Sequence, residues 1–227
     1  MSEIVIYGLH GSPFVRKALI AAAEKGLDAE LQETSPFAPP DWFAEINPAR
    51  RIPVLRDASV GTEGAAGTIP DSSAICAYLE RKKPEPALYP GDAFDYGRAV
   101  WIEEFADTEM AASVGMQIFR PIFFSLLTGK EPDIETARAG LNEHLPPKFD
   151  YLESQIAGRE YFAGDSFSIA DISVAVQLQN IELAGGRLDD ARWPELGDFH
   201  RRTSARGTVD PLIEAARTSL PAHDIEL

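Results

Sequence analysis

The alternating run Ile4-Val5-Ile6-Tyr7 is ended by Gly11-Ser12-Pro13-Phe14, which begins a helical stretch from Val15 to Lys25, and this junction constrains the fold more than any other segment. Alternation marks a half-buried strand, while Val15, Ala18, Leu19 and Ala22 recur at helical spacing. Serine is a favoured N-cap, proline is tolerated at the first helical position, and Gly26 supplies a C-terminal stop. A strand therefore feeds a well-capped helix. Capping alone accounts for Ser12. A helix N-terminus also carries partial positive charge, so its free N–H groups and the Ser12 hydroxyl can together hold an anion.

Behind this junction stand Asn47-Pro48-Ala49-Arg50-Arg51-Ile52-Pro53-Val54-Leu55 and then Pro70-Asp71-Ser72-Ser73-Ala74-Ile75, which opens a second helical pattern. In this order and spacing the three segments resemble the N-terminal domain of the cytosolic glutathione transferase family. A fourth segment, residues 161–172, looks like the capping motif of that family's helical domain. There Ser168 and Asp171 fit a capping box with Asp in place of Glu or Gln, and Phe167 with Ile172 fits a hydrophobic staple. That motif is read as structural. The resemblance covers essentially the whole chain. It implies a thioredoxin-like α/β N-terminal domain followed by an all-α C-terminal domain, with Pro53 in a cis peptide bond.

The 227 residues, 44% hydrophobic, can bury one large core or two modest ones. Helical periodicity breaks between Lys83 and Asp92, where three prolines and a glycine cluster, so residues 1–83 are read as the mixed domain, 84–92 as linker and 93–227 as the helical domain. Residues 1–86 carry nine Lys or Arg against twelve Asp or Glu, and residues 87–227 carry twelve against twenty-four. So acidic a helical domain repels phosphate backbones, which disfavours nucleic acid as a partner. No unbroken apolar run approaches about 18 residues, and the N-terminus lacks the basic-then-apolar order of a signal peptide. The expectation is a cytoplasmic protein with no membrane partner. A single cysteine, Cys76, rules out an intrachain disulfide and reads as a buried helix residue.

The chemistry is read from Ser12-Pro13-Phe14-Val15. Glutaredoxin-like members of the thioredoxin superfamily carry Cys-Pro-Tyr/Phe-Cys at this place. Both sulfur positions here hold residues that cannot form a disulfide, which excludes dithiol exchange. What remains is noncovalent activation of a thiol brought by the substrate. The resemblance implies that this thiol is glutathione, as co-substrate and without a metal, and that Ser12 is the catalytic hydroxyl of a serine-type enzyme of a bacterial or plant-like class. A free thiol of pKa about 8.5 is only about 3% ionised at pH 7, and lowering that pKa by about two units needs roughly 2.7 kcal/mol. A hydroxyl donor and a helix N-terminus are of the size to supply it. Tyr7 is the rival donor, because tyrosine-type members place their hydroxyl near the end of the first strand. His10 is read as an incidental loop histidine.

The same resemblance implies that Phe14, Arg51, Ile52, Pro53, Asp71 and Ser72 surround glutathione. Ser72 and helix N–H groups meet the γ-glutamyl carboxylate, Asp71 the α-amine and the Ile52 backbone the cysteinyl unit, while Arg51 adds positive charge. Asp71 is shorter than the family's Glu or Gln and is expected to reach through water. No cation stands in residues 36–41 for the glycyl carboxylate, which leaves Arg50, Arg51 or the Trp42 indole N–H. Phe105, Met110 and Phe119 are expected to line the electrophile pocket, although an aromatic stripe at helical spacing also serves as core. The protein implied is a homodimeric glutathione transferase acting on hydrophobic electrophiles in detoxification. A noncatalytic interaction or ligand-carrier module on the same fold is the alternative.

Overall fold

Strand β1 (Ile4–Gly8) alternates as its sequence demands, with Ile4 and Ile6 buried on one face and Val5 and Tyr7 turned to the other. The computed structural model describes residues 2–227. β1 lies parallel to β2 (Ala29–Glu33), with Ile6 beside Leu31, and antiparallel to β3 (Val54–Asp57), with Tyr7 beside Val54. β4 (Thr68–Pro70) pairs antiparallel with β3 and completes a sheet of order β2-β1-β3-β4. Helix α1 (Pro13–Glu24) makes the crossover from β1 to β2 and packs against α3 (Ser72–Lys82), while the one-turn α2 (Phe43–Ile46) closes Phe43 and Ile46 over Tyr7 and Val54. This is the thioredoxin-like arrangement. Gly8 permits α1 to start so close to the strand, since a Cβ there would fall 2.4 Å from a Val15 methyl.

Residues up to Leu88 form one compact unit, and Tyr89–Leu227 form another. Lys25, fully buried just past α1, ion-pairs with Glu80 of α3 at 2.6 Å. It also donates to the carbonyls of Pro84 (3.3 Å) and Pro86 (2.7 Å), so the proline-rich segment is fastened to the α/β unit.

The second unit is all helical: α4 (Ala93–Leu127), α5 (Ile134–Ala139), α6 (Pro146–Ile156), α7 (Ile169–Leu183), α8 (Pro194–Ser204) and α9 (Asp210–Ser219). On α4 the buried residues Ile102, Ala106, Met110, Val114, Ile118 and Ile122 repeat every four positions. Such a stripe drifts round an α-helix of about 3.6 residues per turn. Two wider π-type turns, Ala106–Met110 and Val114–Phe119, take up the drift and keep the stripe facing the core. Pro121, just past the second wide turn, lies within α4 and does not end it. By length and composition alone α4 is also apolar enough to cross a bilayer, which a search for unbroken apolar runs misses because Gln117 and Arg120 interrupt it. Its stripe of buried residues gives it a core role in this unit.

Helix α7 is buried on nearly every side and carries the capping box. Asp171 Oδ2 accepts from the Ser168 N–H (2.8 Å) and hydroxyl (2.9 Å), and Oδ1 accepts from the Phe162 N–H at 3.0 Å. Phe167 and Ile172 are buried on either side as the staple requires.

Candidate active site

Beyond Gly8 the chain turns through Leu9, His10 and Gly11, and the Ser12 N–H closes the turn on the Leu9 carbonyl at 3.0 Å. Arg16, fully buried on α1, donates to the His10 carbonyl at 2.7 Å and holds the turn from inside. Ser12 caps α1 with extended backbone, and its Oγ accepts from the Val15 N–H at 3.5 Å, the outer limit of a hydrogen bond. Among the described residues its own proton has no acceptor, and the side chain is half-buried. Phe14, in the first turn, is half-buried as well.

Strand register brings other predicted residues to the same end of the sheet. Tyr7 pairs with Val54 and Val54 with Pro70, so the Ser12 turn, the Ile52–Pro53 peptide and the start of α3 lie at the ends of three adjacent strands. The Ile52–Pro53 bond is cis, as the resemblance implies. Asn47, only 5% exposed, shapes the loop that presents it. Its Nδ2 donates to the Arg51 carbonyl at 2.8 Å and its Oδ1 accepts from the Ala49 N–H at 3.0 Å. Arg50 takes a left-handed φ of 53° in this clamp, and its side chain and that of Arg51 are exposed. Sequence reasoning gave Asn47 no role, although an Asn-Pro pair is a turn signal.

Helix α3 supplies a second N-terminus. Asp71 caps it through Oδ1, accepting from the Ser73 (2.9 Å) and Ala74 (3.2 Å) N–H groups, at a φ of 77° that is strained for a residue with a side chain. Ser72, nearly buried, opens the helix. The Lys17 ammonium of α1 donates to Ser73 Oγ at 3.1 Å and links the two helices near their starts. Two helix N-termini thus direct partial positive charge to one end of the sheet, an arrangement suited to a thiolate and a carboxylate.

Tyr7 is engaged elsewhere. Its ring is 7% exposed beneath α2, and its hydroxyl accepts from Arg56 Nε at 3.1 Å. The half-buried His10 makes no side-chain bond to Ser12, and burial, followed by the charge of Arg16, holds its pKa below the ordinary histidine value.

The family model for the glutathione S-transferase N-terminal domain matches residues 6–87, and that for the C-terminal domain matches residues 135–202. The chain belongs to the glutathione S-transferase family. It is 28% identical over 203 residues to a probable cytosolic glutathione S-transferase, DHAR1, of Oryza sativa subsp. japonica, covering 89% of this chain and 82% of that protein. A glutathione S-transferase crystal structure from Rhodospirillum rubrum matches with a TM-score of 0.82 at 29% identity, over 92% of this chain and 91% of that one. One from Methylobacterium radiotolerans, in complex with glutathione sulfonate, matches at 25% identity with a TM-score of 0.72 over 98% and 97% of the two chains. This transferase is therefore an enzyme of glutathione-dependent transferase or redox chemistry.

Within the helical unit of the transferase, Phe105 and Phe119 are half-buried and Met110 lies in the core. Phe105 packs on Tyr151 (4.7 Å between centroids) and Trp101 (6.0 Å), while Phe119 packs on Phe123 at 4.5 Å. The two rings stand roughly 21 Å apart along the helix at about 1.5 Å per residue. Met110 is fully buried on the core stripe.

The Asn47 clamp makes a kinetic prediction for the glutathione S-transferase. Asn47→Ala removes both side-chain bonds without touching Ser12, so the KM for glutathione is expected to rise several-fold with a smaller change in kcat, as read by steady-state kinetics.

Proposed function

We propose that the enzyme is a serine-type glutathione transferase in which Ser12 and the N-terminus of α1 hold the glutathione sulfur as thiolate for attack on a hydrophobic electrophile. The observation that carries this reading is the Ser12 hydroxyl, half-buried at the start of α1 with its proton uncommitted, while Tyr7 is turned to the sheet face beneath α2, where its oxygen accepts from Arg56. Glutathione releases its thiol proton to solvent, and the thiolate accepts from the Ser12 O–H. Ser72 and the α3 N–H groups take the γ-glutamyl carboxylate. Asp71, with Oδ1 committed to the cap, faces the α-amine through its second oxygen. The Ile52 backbone beside cis-Pro53 holds the cysteinyl unit, Phe14 flanks it, and Arg50 or Arg51 takes the glycyl carboxylate. The sulfur then forms a bond to an electrophilic carbon, which expels a leaving group or accepts the pair into a conjugated system. A cytoplasmic homodimer acting in detoxification completes the proposal.

The test compares conjugation of an aryl halide and an enal with reaction toward glutathione disulfide. Wild type is expected to turn over at least one electrophile and to remain unmodified by the disulfide in mass spectra, since Cys76 is buried. Ser12→Cys is expected to gain one glutathionyl adduct, its thiolate attacking the disulfide and releasing glutathione. An unmodified Ser12→Cys protein, or wild type inert to every electrophile, would overturn the reading.

A further inference from the structure

The sheet face beneath α2 carries a charge that the glutathione chemistry does not use. Arg56 is 9% exposed. Its guanidinium donates through Nε to the Tyr7 hydroxyl (3.1 Å), through Nη1 to the carbonyls of Ala66 (2.8 Å) and Gly61 (3.5 Å), and through Nη2 to that of Gly64 (2.7 Å). All four acceptors are neutral. Among the described residues no carboxylate pairs with Arg56, and a cation taken out of water without a counter-charge is costly. The carbonyl cage ties the long β3–β4 connection to the guanidinium. It leaves the positive charge unanswered, and it leaves one of the five N–H donors, on Nη2, without an acceptor.

Tyr7 adds a second idle donor. Its oxygen serves Arg56 Nε as acceptor, so the phenolic proton remains to be given. Both groups front a cavity of about 240 Å³ whose other walls include Gln32, Trp42, Glu45 and Thr62. Trp42 stands edge-on to Tyr7 with centroids 5.4 Å apart and forms a flat apolar wall. The exposed Glu45 puts one negative charge at the lining, which opposes a dianion more than a monoanion.

We propose that this cavity is a second small-molecule site, for a monocarboxylate with a flat apolar body, separate from the glutathione site at the strand ends. One carboxylate oxygen takes the Tyr7 O–H and the idle Nη2 N–H of Arg56. The other is offered the Thr62 hydroxyl and the Gln32 amide, and the body lies against Trp42. A hydrogen bond to a charged group strengthens when the site is dry, so Tyr7 and Arg56 carry most of the selectivity.

Calorimetric titration of sodium benzoate into the enzyme, with and without saturating glutathione, tests this. Saturable one-to-one binding is expected, with the same affinity in both titrations. Tyr7→Phe, which keeps the ring under α2, is expected to weaken benzoate about ten-fold. Thr62→Val, on an exposed loop, is expected to weaken it a few-fold and guards against a folding defect in the first variant. Absence of saturable binding to wild type overturns the proposal, as does undiminished affinity in both variants. Displacement of benzoate by glutathione overturns it too, by making the cavity part of the glutathione site. Glutathione affinity is measured in the same experiment, so a failure of the family site is told apart from a failure of this one.

Discussion

A Ser12→Ala enzyme is expected to lose about ten- to fifty-fold in kcat/KM for conjugation at pH 6.5, and less than about two-fold at pH 9. The size follows from the thiol. If the bound pKa lies about two units below the free value of about 8.5, roughly half the glutathione is thiolate at pH 6.5 in wild type and about 1% once the stabilisation is gone. Part of the effect survives, because the α1 N-terminus still supplies up to about 1 kcal/mol. The pH dependence separates this role from a packing one. Loss of a donor to an anion is erased once the pH exceeds the free thiol pKa, whereas a distorted site stays poor at every pH. Parallel pH–rate profiles of the two enzymes check it.

The largest effect on stability is expected at Asp171. Replacing it with alanine leaves the Phe162 and Ser168 N–H groups and the Ser168 hydroxyl facing a buried void where two carboxylate oxygens stood. Each buried donor left unmet costs about 1 to 3 kcal/mol, so Asp171→Ala is expected to lose about 3 to 5 kcal/mol in denaturant unfolding followed through the buried Trp193. Burial pushes the Asp171 carboxyl up to about 6 against the hydrogen bonds that favour its charged form. The folded pKa therefore lies above the unfolded one. Between about pH 4 and pH 6 the folded chain keeps a proton that the unfolded chain has released, so this residue makes the protein more stable as the pH falls through that window. Asp171→Asn has no such titration, and the stability gap between it and wild type should narrow from pH 4 to pH 7.

What the sequence could disclose is what short-range chemistry determines. Strand alternation at Ile4 to Tyr7, the cap at Ser12, the turn before Ser72 and the Ser168–Asp171 box are all written within a few residues and all form. The two wide turns of α4 are announced by no residue pattern, because they answer the packing of its buried stripe. The tie between Tyr7 and Arg56 joins positions 49 residues apart through strand register, so no local pattern in the sequence announces it. Phe105, Met110 and Phe119 look alike in a list of apolar residues, and only the fold shows Met110 fully buried and the two rings half-buried against different aromatic partners.

The central claim is that Ser12 holds a thiolate. Ultraviolet difference spectroscopy of bound glutathione from pH 5 to 9, on wild type and Ser12→Ala, tests it most directly. The account predicts a thiolate band in wild type whose midpoint lies near pH 6.5, moved by more than one unit toward the free thiol value in the variant. A band of unchanged midpoint in Ser12→Ala, or no band below pH 8 in wild type saturated with glutathione, would contradict it.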